Sequence, residues 1–443
     1  MKIKIMKKIS YFIISCSFLI YSNLTIAKQL SSNFLVISDI HLKSHSLQSM
    51  NFTPSTKTLT NDLNLTDFKL IINSIKDNIN KNLIPKPKFI ILLGDIQGHI
   101  RLLNKTEKNE AMVFKELHLT FPNTPIFYVF GNNDSIKQNY GLFSTSNSPY
   151  NLAMKNGFWK NGFLSSGEFC NKNNKSLPKN ISRFPCIANE NIKNGYYSAL
   201  INPQLKLISL NSILFSMQRA TNTDKHALDE LRWLHKELAQ AKINNQKILL
   251  AMHIPPGLSI YNNASFWKTK NADLFLEIVS EYHEIIISIL SSHTHKDEMK
   301  IIKNQNGDII SGIFSTPALS TAFGNSPGCK IFQLSKNTNG WYLHDYQTYQ
   351  FLKIKSQIFM HNLYDFQKYY CKNNSNDMLF CLKKVTTEKI AKYLNVGNTK
   401  ALQTKIANLN SHTKSTNKIK KLKTENYLSS EMNFPKNIEI IVK

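Results

Sequence analysis

Residues 285–296 read I-I-I-S-I-L-S-S-H-T-H-K. The apolar, mostly β-branched run has the composition of a buried strand, and it stops abruptly at two histidines one residue apart. In extended backbone, residues i and i+2 project the same way, so His293 and His295 present their imidazoles side by side. That arrangement suits adjacent metal ions at a strand end, where α/β proteins carry their reactive groups. Alone, a His-x-His pair is ordinary loop chemistry. It gains force only if other strand ends deliver carboxylates and further nitrogen donors.

They do so four times. A strand over 34–37 runs into S-D-I-H, which carries Asp39 and His41. A strand over 89–93 ends in G-D-I-Q-G-H, with Asp95 and His99, and one over 126–130 ends in G-N-N-D, with Asn132 and Asn133. A strand over 247–252 ends in H-I-P-P-G, with His253. Amphipathic patterns predict helices over 67–81 (Phe68, Ile71, Ile72, Ile75 and Ile79 on one face), 108–119, 224–241 and 272–282. In the third, Leu228, Leu231, Leu234 and Leu238 form the expected buried stripe, with Trp233 at its edge. Residues 196–199 and 206–211 read as a hairpin of a second sheet, and two or three further strands fall within 301–346. Strand–helix alternation with polar strand ends describes a layered α/β domain whose site lies on one edge of its sheet.

The flanks differ in character. Residues 140–195 are rich in Asn, Ser and Lys and read as a long insertion capping the site. From about 352 the pattern turns helical and Lys/Asn-rich. The tail at 411–443 carries Lys414, Lys418, Lys420, Lys421 and Lys423 with few apolar anchors, as a solvated segment would. At the other end, Lys2, Lys4, Lys7 and Lys8 precede an apolar block at 9–21, and Thr25 and Ala27 are small residues placed for a cut after Ala27. This is the pattern of a secretory signal peptide, its apolar block too short to span a bilayer comfortably.

Hydrophobic residues at 42% and aromatic residues at 11% of 443 positions are those of a globular chain with ample core. The net charge of +26, from 55 Lys and Arg against 29 Asp and Glu, is spread along the chain. It implies attraction to anionic substrates or surfaces and excludes a nucleic-acid reader, which would cluster arginine with aromatic side chains. Of six cysteines, Cys16 leaves with the signal; Cys170 with Cys186 and Cys371 with Cys381 read as two local disulfides in an oxidising compartment. Cys329 is left over and expected to be buried.

Collected, the strand ends supply Asp39, His41, Asp95, Asn132, His253, His293 and His295. A mixed oxygen and nitrogen set suits zinc first, or manganese or iron, rather than calcium or magnesium. Seven donors are too many for one such ion and fit two that share a carboxylate. Two ions about 3.5–4 Å apart hold a hydroxide, lower its pKa and clamp phosphoryl oxygens during in-line attack. Each motif singly has a bland reading: a loop cap, a turn, a satisfied core histidine. Their joint order and placement carry the set. His45, His118, His226, His235, His283, His344, His361 and His412 fall outside any motif and read as ordinary.

The ordered set D-I-H, G-D-I-Q-G-H, G-N-N-D, H-I-P-P-G and H-T-H resembles the calcineurin-like metallophosphoesterases. Within them it is most similar to the acid sphingomyelinase-like phosphodiesterases, through His99 four residues after Asp95, S-H-T-H-K-D-E, and the stretch from G-Y-Y-S to L-I-S-L-N at 195–211. The resemblance covers about residues 33–349. It implies an α/β/β/α sandwich at 28–350, to which the residues themselves add a signal at 1–27, a mainly helical extension at 351–410 and the tail at 411–443. It implies that Asp39, His41 and His295 hold one metal, that Asn132, His253 and His293 hold a second, and that Asp95 bridges them. His99 is the implied proton donor to the leaving group.

Two departures stand out. Asn133 occupies a position where much of the family has histidine; it cannot act as an acid and is expected only to touch substrate. Ser292 replaces a glycine before the final histidines. No saposin-like module has a counterpart in the chain. The expected substrate is a small anionic phosphodiester or phosphoanhydride, nucleotide-like or a phosphocholine lipid head group. The alternatives are a polyphosphate-cleaving hydrolase and a catalytically silent binding protein on the same fold.

Overall fold

A continuous apolar run needs cover on both faces, and parallel strands between packed layers supply it. The computed structural model describes residues 31–44, 50, 62–99, 106–135, 138–143, 170, 184–218, 224–259, 261–262, 264–304, 306–322, 325–371, 377–383 and 439–442. β1 (Ser31–Ile37) pairs in parallel with β2 (Phe89–Leu92), Phe34 opposite Phe89, and β2 with β3 (Ile126–Tyr128). The crossovers are α1 (Leu65–Asn80) and α2 (Thr106–Thr120). Asn64 starts α1 by accepting the Asp67 backbone N–H at 2.7 Å, and Phe68, Ile71, Ile72 and Ile75 form its buried face.

The second sheet begins as the antiparallel ribbon β4 (Cys186–Asn191), β5 (Tyr196–Asn202) and β6 (Leu205–Ser209), so the expected hairpin is present. α3 (Asp224–Ile243) leads to β7 (Lys247–Ala251) and α4 (Thr269–Tyr282) to β8 (Ile286–Ser291); β6, β7 and β8 are parallel. β9 (Glu298–Lys303) and β10 (Ile309–Ser315) form a hairpin, with β10 parallel to β8. β11 (Gly328–Asn337), β12 (Gly340–Ile354) and β13 (Gln357–Asp365) return to the first sheet, and α5 (Met378–Leu382) follows. The strand orders are β13-β12-β11-β1-β2-β3 and, with β14 (Glu439–Val442), β14-β9-β10-β8-β7-β6-β5-β4. The sheets face each other, β12 against β7 and β8. α1 lies on β13 and against α2, and α3 lies on β7 and against α4, which makes the α/β/β/α sandwich.

Three expectations need correction. Residues 351–354 and 357–365 are strand rather than helix, joined by a turn at 355–356: β12 offers β13 a ladder from Gln347–Asp365 to Ile354–Gln357. Helical structure in the described part of the extension is confined to a π-turn at Gln367–Cys371 and α5, and residues 384–438 lie outside the described residues. Within the tail, residues 439–442 pair antiparallel with β9. On α3, Leu228 is 37% exposed; the buried stripe is Ala227, Leu231, Leu234, Leu238 and Ala241, one position round the helix from it. Trp233 does sit at the edge, its ring 4.7 Å from that of Tyr196.

Of the 140–195 insertion, residues 186–191 form β4, and most of the remainder, like the signal segment 1–27, lies outside the described residues. Cys170 pairs with Cys186, Cys371 pairs with Cys381, and Cys329 is free and buried.

Asp345 on β12 ties the end of β13 into the fold: its Oδ1 accepts the backbone N–H groups of Tyr346 and Gln367, both at 2.8 Å. Burial pushes its carboxyl up to about 6 against those two bonds. A raised folded pKa makes the contribution full below the ordinary aspartate range and lost as pH rises through about 6. Asp345→Asn keeps an acceptor without the charge. Urea unfolding at pH 4 and pH 7.5 should therefore show the variant gaining on the wild type by up to about 2 kcal/mol as pH rises.

Candidate metal centre

Parallel strands of both sheets end at the same edge. β1, β2 and β3 deliver Asp39, His41, Asp95 and Asn132 from the first sheet; β7 and β8 deliver His253, His293 and His295 from the second. Asp39, His41, Asp95, His293 and His295 all adopt left-handed backbone, with φ between +46° and +74°. Such conformations cost about 1–3 kcal/mol each in non-glycine residues and persist where surrounding structure over-determines them. Neighbouring glycines let the backbones approach. Gly94 has φ +88°, and a Cβ on Gly131 would lie 2.2 Å from Asp95 Oδ1.

The donors from the two sheets meet. Asp39 Oδ1 lies 3.4 Å from His295 Nε2, 3.7 Å from His41 Nε2 and 3.8 Å from His253 Nε2. Asp95 Oδ2 lies 3.4 Å from His253 Nε2 and 3.7 Å from His41 Nε2, while the Nε2 atoms of His41 and His295 are 3.0 Å apart. The imidazoles are aimed by their other nitrogen. Nδ1 of His41, His253 and His295 meets the carbonyl oxygens of Gln97, Leu93 and Ala322 at 2.9, 2.6 and 3.3 Å. Such bonds fix the tautomer and turn Nε2 inward, as metal-ligating histidines require.

The residues fit divalent cations. Asp39 Oδ1, Asn132 Oδ1 and His253 Nε2 are buried without a hydrogen-bond partner, an expensive condition that coordination relieves. Asp95, His253 and His293 bring three donor atoms within 4.8 Å of one another, and Asp39, His41 and Asp95 do the same. Burial works against charge throughout, yet the facing imidazoles hold the Asp39 and Asp95 carboxyls below the usual range. Against the same burial, the two carboxylates hold His41 and His253 up at about 9, whereas burial takes His293 down to about 4 and His295 to about 3.

His99 stands at the rim, 18% exposed, its ring stacked on His41 at 3.9 Å. Its Nδ1 donates to Asp62 Oδ1 at 2.6 Å, and its backbone N–H donates to Asp62 Oδ2 at 2.8 Å. Asn133 lines the cleft, but its side-chain amide donates to Asp95 Oδ2 at 2.8 Å and its backbone N–H to Asp95 Oδ1 at 2.7 Å. The cleft above these groups holds about 400 Å³, with Tyr140, Tyr261 and Phe266 among its walls.

Sequence reasoning missed the residues that hold the donors. Asp134 accepts from the backbone N–H groups of Gly131, Asp95 and Ile96 at 2.7–2.9 Å, locking the β3 loop to the β2 loop. Its place in G-N-N-D was the available signal. Ser38 and Ser292 both donate their hydroxyls to Asp39 Oδ2, so the serine that replaces a glycine gains a bond to a candidate ligand. Asp62 had no signal, lying in a polar loop distant in sequence from His99.

Fold and site together define a metal-dependent phosphoesterase. The family model described as calcineurin-like phosphoesterase matches residues 32–297, and the chain belongs to that family. Among curated relatives it is 27% identical to Sphingomyelinase phosphodiesterase C of Dictyostelium discoideum, over 65% of this chain and 62% of that one. It is 24% identical to Cyclic GMP-AMP phosphodiesterase SMPDL3A of Bos taurus (60% and 57%) and 25% identical to Acid sphingomyelinase-like phosphodiesterase 3b of Mus musculus (62% and 59%). The chain thus spans about three fifths of the length of these relatives.

Gly131→Ala should crowd the Asp95 carboxylate while leaving every donor residue itself unchanged. Metal analysis after dialysis should show at least a tenfold loss of affinity, in line with changes to groups that orient ligands. Wild-type retention would mean that Asp95 does not need its present place.

Proposed function

We propose that the protein is an exported dinuclear phosphodiesterase, with Asp39, His41 and His295 holding one cation, Asn132, His253 and His293 the other, and Asp95 shared. The observation that carries this is that three atoms of the site, Asp39 Oδ1, Asn132 Oδ1 and His253 Nε2, drawn from both sheets, are buried without a hydrogen-bond partner. Two divalent cations held there, zinc first or manganese or iron, would supply an acidified water as nucleophile and neutralise phosphoryl charge. Export is supported by the basic-then-apolar N-terminal pattern and by the two disulfides. Among the described residues no helix is long and apolar enough to cross a membrane. Residues 28–350 would form the catalytic unit, with 140–195 capping the cleft.

The chain's own groups do the rest. Asp62 accepts the hydrogen bond from Nδ1–H of His99, so that in the doubly protonated ring Nε2–H is the proton that would pass to a departing oxygen. The Asn133 amide steadies Asp95, and carrying no titratable proton, it leaves that delivery to His99. Tyr140, Tyr261 and Phe266, with the amides of Asn139 and Asn262, suit a phosphodiester bearing an uncharged ring or an alkyl-ammonium group. The substrate classes are therefore nucleotide-like diesters or anhydrides and phosphocholine lipid head groups, drawn in by the lysine-rich surface. The relatives' names, sphingomyelinase and cyclic GMP-AMP phosphodiesterase, support both. Polyphosphate cleavage is the second reading. It is weakened because the described cleft walls carry rings and amides where a polyanion needs lysines. A silent binding protein would not need the full donor set.

Hydrolysis of bis-p-nitrophenyl phosphate should vanish on chelation and return with zinc or manganese; turnover that survives chelation sinks the metal mechanism. Sphingomyelin, dinucleotides, nucleoside triphosphates and polyphosphate, assayed in parallel, identify the substrate class. His99→Ala should bind metal normally and lose about 10²–10⁴-fold on alkoxide leaving groups. The loss should be much smaller with p-nitrophenolate, which departs without a proton. Equal losses on both would remove His99 as the donor.

A further inference from the structure

Two residues beyond His295 the chain buries an ion pair that stands apart from the donor set. The Asp297 carboxylate, 1% exposed, meets Lys330 Nζ at 2.7 Å through Oδ1 and accepts the Tyr364 hydroxyl at 2.6 Å through Oδ2. Lys330 is fully buried, its ammonium 4.0 Å from the Tyr346 ring centroid, and the Tyr346 and Tyr364 hydroxyls meet at 3.2 Å. Removing two charges from water is costly, and an apolar pair of the same volume often serves stability as well or better. The pair therefore asks for a role other than stability.

Its position supplies one. Asp297 belongs to the β8–β9 connection of the second sheet, directly after the His-x-His turn. Lys330 on β11 and Tyr364 on β13 belong to the first sheet, in which β11 lies beside β1, the strand that delivers Asp39. The cluster thus crosses the same seam between the sheets as the proposed metal ligands. The Nδ1 tether of His295 leaves room for such support. The nitrogen reaches the Ala322 carbonyl at 3.3 Å, a longer tether than the 2.9 and 2.6 Å bonds that aim His41 and His253.

We propose that Asp297, Lys330 and Tyr364 are positioning residues: a polar bolt across the sheet seam that sets the reach of His295 toward Asp39 and so the metal affinity of the centre. This rests on the dinuclear reading above. It gives the β12–β13 hairpin, which lies beyond the family match at 32–297, a part in building the site.

Tyr364→Phe removes one hydroxyl and keeps the ring against Tyr346. The control is Ser198→Ala on β5, which loses an equally buried bond, Ser198 to Glu237 at 2.7 Å, near the far edge of the second sheet. Metal-free protein is loaded with cobalt(II), whose visible bands report coordination geometry, and then titrated with chelator; thermal midpoints are read in parallel. Tyr364→Phe should release cobalt at about tenfold lower chelator and show a shifted band. Ser198→Ala should keep the wild-type band and affinity even where its midpoint falls. Wild-type cobalt binding by Tyr364→Phe overturns the bolt, as does an equal loss in Ser198→Ala, which would mark the effect as general destabilisation. Asp297→Asn, which retains an acceptor for the Tyr364 hydroxyl but drops the charge facing Lys330, provides the same readout should Tyr364→Phe not fold. A wild-type chain that takes up no cobalt refutes the metal reading itself, and the bolt with it.

Discussion

Two buried carboxylates, Asp39 and Asp95, sit in the seam between two sheets and face imidazoles on the opposite side. Asp39 Oδ1 is 3.4 Å from His295 Nε2, and Asp95 Oδ2 is 3.4 Å from His253 Nε2. A buried ionised carboxylate is costly unless it is paired or well hydrogen-bonded, and here burial, strand direction and backbone strain all serve that demand. The parallel strands bring five chain segments to one edge. The left-handed turns at Asp39, His41, Asp95, His293 and His295 swing the donors into the seam instead of letting them follow the strands outward. The same two carboxylates favour the charged forms of His41 and His253 against their burial.

The candidate donors were legible because each follows an apolar run long enough to be a strand. Such a run reveals both the sheet and the edge where it ends. Asp39-x-His41 and His293-x-His295 also announce themselves through the i, i+2 spacing of extended chain. The strand-to-helix alternation gave the layers, and the order of motifs gave the family. What the sequence could not give was partnership. Nothing near Asp62 in the chain points to His99, and nothing near Tyr364 points to Asp297; those contacts exist only after the sheets have stacked.

The misreading at 351–365 has a related cause. Lysine and asparagine abundance suggested a solvated helical extension, but a segment rich in β-branched and aromatic residues beside an already formed strand is more stable as another strand. The buried partners, Ile358 and Tyr364, decided the structure. The same pairing logic places β14 on β9, which would otherwise be a sheet edge with open hydrogen-bonding groups.

Asn133 shows how a departure from a family pattern is absorbed. Its backbone N–H and side-chain amide occupy both oxygens of Asp95, the carboxylate proposed to be shared. An amide there holds the carboxylate in one orientation over the whole pH range, because it has no titrating proton. The price is that proton delivery has to come from elsewhere, and the imidazole already tethered at the rim is His99, stacked on His41 and anchored by Asp62. On this reading the two changes are complementary: Asn133 gives rigidity to the centre, and the Asp62–His99 pair carries the acid function alone.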